Sequence, residues 1–150
     1  MMVTGKKGKT KLIEILLIEE NSENNELTTE IFRESTVSNN INMVNNGVDA
    51  MKFLKQENGF KNSVRSNIIL LDLNIPKKDG REILKEIKTD PELKYIPIVV
   101  MTSSESEQDI INTYEHYANA YITKPSDLDE FIKVIKSVAD YWLKIVELPP

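Results

Sequence analysis

Solid apolar runs alternate along this chain with segments whose apolar residues recur every three or four positions. Ile13 to Ile18 is apolar apart from Glu14 and closes at Glu19-Glu20-Asn21, after which Leu27, Ile31 and Phe32 fall at helical spacing. A short second strand, Ile41 to Val44, stops at Asn45-Asn46-Gly47, and Val48, Met51, Phe53 and Leu54 mark the helix behind it. Gly59 reads as the stop signal of that helix, and Asn58 to Asn67 as a polar loop. Ile68 to Leu71 predicts a third strand, and Ile83, Leu84 and Ile87 its helix, which ends at Asp90-Pro91 because a residue before proline avoids helical geometry. The fourth strand, Ile96 to Met101, carries Pro97 near its start, where a missing donor costs little. Ile110, Ile111 and Tyr114 mark a fourth helix, and Ala118 to Ile122 a fifth strand.

The last helix carries apolar residues from Leu128 through Phe131, Ile135 and Val138 to Trp142 and Val146. Ser126 is its expected cap, with Asp129 three residues on as in a capping box. At about twenty residues it would be about 30 Å long. Its end, with Trp142, Ile145 and Val146, outruns the sheet and suggests a self-association surface, hence a homodimer.

Five strand–helix repeats imply an α/β fold, a mainly parallel five-stranded sheet with helices on both faces. Strands buried on both faces read as solid apolar runs, as the first, third and fourth do. Composition adds exclusions. The 150 residues suit one domain, and 40% apolar with 29% charged residues is an ordinary globular balance. No apolar run is long enough for a membrane span, and no signal-type block opens the chain, so the expected location is cytoplasmic. With no cysteine, disulfides, thiol chemistry and cysteine-held zinc are excluded. A net charge of −5 speaks against nucleic-acid binding; the lysines of residues 1–11 read as a flexible basic arm ahead of a domain over 12–150. The single histidine, His116, reads as exposed and incidental.

In parallel sheets of this kind, chemistry gathers beyond the carboxyl ends of the strands. There the chain places Glu19 and Glu20, Asp72, Thr102 and Ser103, and Thr123-Lys124-Pro125. Carboxylates crowded at one edge repel, and a hard cation such as Mg²⁺, which takes carboxylates, a carbonyl and several waters, relieves them. Lys124 adds a fixed positive charge, and Thr102 a hydroxyl able to bond a phosphoryl oxygen. These are the parts of phosphoryl transfer onto a carboxylate, with Asp72 as nucleophile. The Lys124–Pro125 bond is a candidate for the cis form in a tight turn.

On these four motifs, spread over about residues 12 to 146, the chain resembles a response-regulator receiver domain of two-component signalling, which has a flavodoxin-like (βα)5 fold. The resemblance implies that Asp72 accepts phosphate from a histidine kinase with Mg²⁺. It implies a metal site of Glu19, Glu20, Asp72 and the backbone carbonyl of Asn74, with Thr102 following the phosphoryl group and Lys124 pairing with it. Tyr121 matches the family's aromatic switch. Leu73 to Glu82, and the ending from Tyr141 to Pro150, are similar to stand-alone regulators of bacterial phytochrome kinases. Such a protein is not an enzyme beyond catalysing its own phosphorylation and dephosphorylation, and its output runs through contact with a downstream protein.

One residue departs from the pattern: the second acid of the pair is usually Asp and here is Glu20. An extra methylene moves the carboxylate, while Mg²⁺ demands near-ideal octahedral geometry at about 2.0–2.1 Å. The alternative is therefore a pseudo-receiver, a binding module independent of phosphorylation. An aspartate-nucleophile hydrolase would need a second Asp where Asn74 stands, and Asn74 cannot transfer the proton.

Overall fold

The computed structural model describes residues 12–150; the basic arm expected over residues 1–11 lies outside the described residues. Five strands, β1 (Ile13–Ile18), β2 (Asn39–Val44), β3 (Ile68–Leu71), β4 (Ile98–Thr102) and β5 (Ala120–Thr123), alternate with five helices. The helices are α1 (Ser22–Arg33), α2 (Gly47–Lys55), α3 (Gly80–Thr89), α4 (Glu107–Glu115) and α5 (Leu128–Ala139). The strands are all parallel, in the order β2-β1-β3-β4-β5. The five-stranded receiver architecture expected from the sequence is the one observed.

Successive strand residues point to opposite faces, so one solid apolar run serves two cores. Leu16 and Ile18, Ile69 and Leu71, and Ile98 and Val100 pack with Met51, Phe53, Ile83, Leu84 and Ile87 of α2 and α3. Ile15 and Leu17, Ile68 and Leu70, and Val99 and Met101 face the other way, onto Ile31, Phe32, Phe131, Ile135 and Val138 of α1 and α5. Burying these strands on both sides is what fixes their carboxyl ends at one edge.

Several boundaries differ from expectation. β2 begins at Asn39, two residues before Ile41, because it is an edge strand whose Asn40 and Asn42 amides both donate to Glu14 Oε1. α2 ends at Gln56, which takes the left-handed cap conformation (φ 57°), so Gly59 belongs to the loop rather than to the stop. The α5 cap is Asp127, whose side chain accepts from Glu130 N at 3.0 Å; the capping pattern sits one residue later than at Ser126. α5 runs into a π-helical segment, Asp140–Ile145, that closes with Val146 N donating to Tyr141 O. Among the described residues every peptide bond is trans, including Lys124–Pro125. His116 is half-buried and bonds the Asn112 carbonyl at 2.8 Å, capping α4 rather than standing free. No helix among the described residues is long and apolar enough to cross a membrane.

Candidate functional site

Four of the five strands, β1, β3, β4 and β5, each deliver one side chain to the carboxyl edge. Asp72 directly follows β3, and its N–H continues the ladder by donating to Ile18 O at 3.0 Å. Glu19 directly follows β1, its N–H donating to Val44 O. Both are buried, at 8% and 6% exposure, where an unpartnered carboxylate is costly. Their shared partner is Lys124 at the end of β5, whose Nζ donates to Asp72 Oδ2 at 2.9 Å and to Glu19 Oε1. The remaining carboxylate oxygens are held by backbone. Asn74 N donates to Asp72 Oδ1 at 3.1 Å, and Asn21 N to Glu19 Oε2 at 3.0 Å.

Thr102 ends β4 and is fully buried. Its Oγ1 accepts long contacts from Asn74 Nδ2 (3.4 Å) and Ser104 N (3.5 Å), and α4 is capped by Ser106 instead. Asn74 thus touches both the acid and the hydroxyl. The loop after Asp72 is held close by two glycines. A side chain on Gly80 would meet the Asp72 carbonyl at 2.5 Å, and one on Gly47 the Lys78 carbonyl at 2.0 Å. Tyr121, on β5, is half-buried, and its hydroxyl donates to the Ser104 carbonyl at 2.9 Å.

The structure therefore brings together Asp72, Glu19, Lys124, Thr102 and Asn74, with Tyr121 one loop away. Glu20 does not join them: its side chain is exposed and forms no ion pair with Lys124. Among the described residues no three acidic or histidine side chains close on one point. The oxygen donors brought together are the two buried carboxylates of Asp72 and Glu19. Such oxygens suit a hard divalent cation that keeps most of its waters.

A second cluster lies beside the first, and sequence reasoning missed it. Arg81, in the first turn of α3, forks onto Asp109 of α4 through Nε–Oδ1 at 2.7 Å and Nη2–Oδ2 at 2.6 Å. Its Nη1 also meets the α3 cap Asp79 at 3.0 Å, and Ser104 Oγ donates to Asp109 Oδ2 at 2.7 Å. The Arg81 and Ser104 hydrogen bonds hold the Asp109 carboxyl down at about 2, against an ordinary 3.8, and the paired acids push Arg81 upward. The only sequence signal was an arginine shortly after the Asp72 loop and an acid in the first turn of the next helix.

Comparison with known proteins agrees with the fold. The chain is 44% identical over 135 residues to response regulator Rcp1 of Synechocystis sp., covering 90% of this chain and 92% of that one. It is 33% identical over 129 residues to the probable methanogenesis regulatory protein FilR2 of Methanothrix harundinacea, covering 86% and 83%. The Mn²⁺-bound structure of Rcp1 superposes with a TM-score of 0.91 at 43% identity, over 92% of this chain and 99% of that one. The phosphorylated cyanobacterial phytochrome response regulator RcpA gives 0.90 at 42%, over 93% and 100%. With that family's profile matching residues 15–136, the chain belongs to the response regulator receiver domain family.

Proposed function

We propose that this receiver accepts a phosphoryl group on Asp72 from a sensor histidine kinase of phytochrome type and passes the signal on by protein contact. The observation that carries the reading is Lys124 spanning from β5 to bind both Asp72 and Glu19, with Thr102 buried beside them. In the transfer, a carboxylate oxygen of Asp72 forms a bond to phosphorus as the donor's phosphorus–nitrogen bond breaks. The electron pair of that bond stays on the departing imidazole. Asn74 N and Lys124 orient the attacking carboxylate, and Lys124 remains close to the incoming negative charge. Glu19, Asp72 and the Asn74 carbonyl would hold Mg²⁺, with Glu20 as an outer acid. Bound there, the ion would neutralise charge on the transferring group.

The transfer adds about one further negative charge at Asp72. Thr102 turns its hydroxyl inward toward that charge and biases Tyr121, whose hydroxyl bonds the Ser104 carbonyl of the same loop. The face of α4, β5 and α5 changes with it, a local charge event selecting between two conformations. A second copy of the chain is the partner we assign to the groove between β5 and the end of α5, lined by Ala120, Ile122, Val134, Val138, Tyr141 and Trp142. Ile145, shortly after the groove's Trp142 in the chain, is 69% exposed. The working location is cytoplasmic, where a kinase and its regulator meet.

Labelling by acetyl phosphate with Mg²⁺, on wild type and D72N, tests the assignment, with oligomer mass measured before and after. Wild type should label and D72N should not. Equal labelling would remove Asp72 as acceptor, whereas no labelling of either would favour the phosphorylation-independent module.

A further inference from the structure

The buried stripe of α1 is apolar at Ile31 and Phe32 but polar at Asn25 and Thr28. Thr28 lines a small cavity together with Glu19, Asp72 and Lys124. Asn25 lies about one turn nearer the start of the helix, and that start follows the carboxyl end of β1 at once. The Asn25 Nδ2 donates to the Glu19 carbonyl at 2.9 Å, a buried contact. The amide cannot be turned over, because Oδ1 would then face the carbonyl, acceptor against acceptor. Oδ1 is left buried without a hydrogen-bond partner. An unpaired buried acceptor is costly, and an apolar side chain here would avoid that cost. Folding alone therefore does not account for an asparagine on this stripe.

What the bond does hold is the acid pair. The peptide unit is rigid, so fixing the Glu19 oxygen fixes the plane of the peptide between Glu19 and Glu20. The Glu19 carboxylate is held from the same helix start: Asn21 N donates to Glu19 Oε2 at 3.0 Å, and Asn25 N donates to Asn21 O at 3.0 Å. Glu19 is thus gripped at main chain and side chain by α1, while Glu20 stays exposed. We infer that Asn25 is a positioning residue for divalent-cation binding: its amide holds the Glu19–Glu20 turn in the form that keeps the Glu19 carboxylate beside Asp72. It acts through Glu19 and is not itself a ligand. The inference deepens the proposed function, because it rests on the reading that Glu19 and Asp72 hold Mg²⁺.

Calorimetric titration of Mg²⁺ into the full chain tests it on wild type, N25L, N25A, E19Q and N25L/E19Q, with urea unfolding of each protein alongside. N25L keeps the bulk of the side chain and N25A removes it, so the two changes do not strain the fold in the same way. Both should bind Mg²⁺ about tenfold more weakly than wild type, or worse, on the scale of lost supports behind a metal ligand. In the E19Q background the N25L change should cost less than about twofold, because the carboxylate it supports is gone. A general loosening of the fold would instead weaken binding by the same factor in both backgrounds, and that result would overturn the role of Asn25. Binding as tight as wild type in N25L and N25A would overturn it too. A wild type that takes no Mg²⁺, or an E19Q that binds as tightly as wild type, would sink the cation site itself, and the inference falls with it.

Discussion

Lys124 reaches past β4 to bind Asp72, its Nζ 2.9 Å from Oδ2. Adjacent strands lie about 4.8 Å apart, so this contact crosses about 10 Å of sheet edge. Only a long, flexible, cationic side chain makes it, and the Lys124 N–H fixes its base by donating to Thr102 O at 2.8 Å. The same ammonium serves Glu19, so one lysine bridges two buried acids at once.

Removing it should be expensive. K124A leaves Asp72 and Glu19 facing each other without a cation, and breaking a buried pair from one side costs about 3–5 kcal/mol. Water entering at the strand edge reduces that, so we expect K124A to lose about 2–4 kcal/mol in urea unfolding. In the K124A/D72N double variant one of the two orphaned charges is gone, and about half the loss should return. A double variant as unstable as K124A would show that the cost lies in lost packing of the lysine stem rather than in charge.

Gly80 sets how closely α3 approaches the acceptor. Its N–H donates to Leu73 O at 2.9 Å, and an added Cβ would lie 2.5 Å from both the Asp72 carbonyl and Leu73 Cα. These are backbone atoms and cannot rotate away. G80A must push α3 and the loop apart, at about 1–3 kcal/mol for overpacking of this kind. We expect a matching fall in thermal stability and slower labelling of Asp72 by acetyl phosphate. Full stability in G80A would mean that the loop gives way without cost.

What was legible in the sequence followed from burial on two sides. β3 and β4 are covered by helices on both faces, so Ile68 to Leu71 and Ile98 to Met101 stand out as solid runs, and their ends mark Asp72 and Thr102. β2 is an edge strand, and the apolar run alone starts it at Ile41 because the Asn40 amide finds Glu14 only once the sheet is formed. The α5 cap was displaced by one residue because Ser126 and Asp127 are both capping residues, and chain direction alone decides between them. Arg81 and Asp109 were not legible. Each sits in a first helical turn, where an acid reads as a dipole partner and an arginine as solvated, and their contact joins elements 28 residues apart.

Asp109 also gives the protein an acid-sensitive tie. Its carboxyl is held at about 2, below an ordinary 3.8, chiefly by hydrogen bonds from Arg81 and Ser104. A carboxyl depressed in the folded state stabilises the fold above its unfolded value and loses that contribution as pH falls through its folded value. The stability difference between wild type and D109N should therefore be constant above about pH 4 and shrink between about pH 4 and 2. Arg81 is about one-third exposed, so solvent screening limits the plateau to about 1–2 kcal/mol. Urea unfolding of both proteins across this range isolates the effect, since the other carboxyls cancel in the difference. A difference that stays flat to pH 2 would show that the pair contributes nothing to the fold.

The two acids after β1 should part company in metal binding. Glu19 is buried, with both oxygens directed by Lys124 and Asn21, whereas Glu20 is exposed and longer than the residue this position usually carries. A buried carboxylate acts on a bound cation through a low effective dielectric and an exposed one through water, so the same charge counts several times more at Glu19. E19Q should weaken Mg²⁺ binding about 100-fold and E20Q about tenfold or less, in the range that lost ligands and their supports produce. Calorimetric titration of Mg²⁺ into each variant measures this directly, and E20Q should unfold at the same urea concentration as wild type. An equal loss in both variants would instead make Glu20 a direct ligand, reached by a swing of its side chain, and E20D would then bind Mg²⁺ more tightly than wild type.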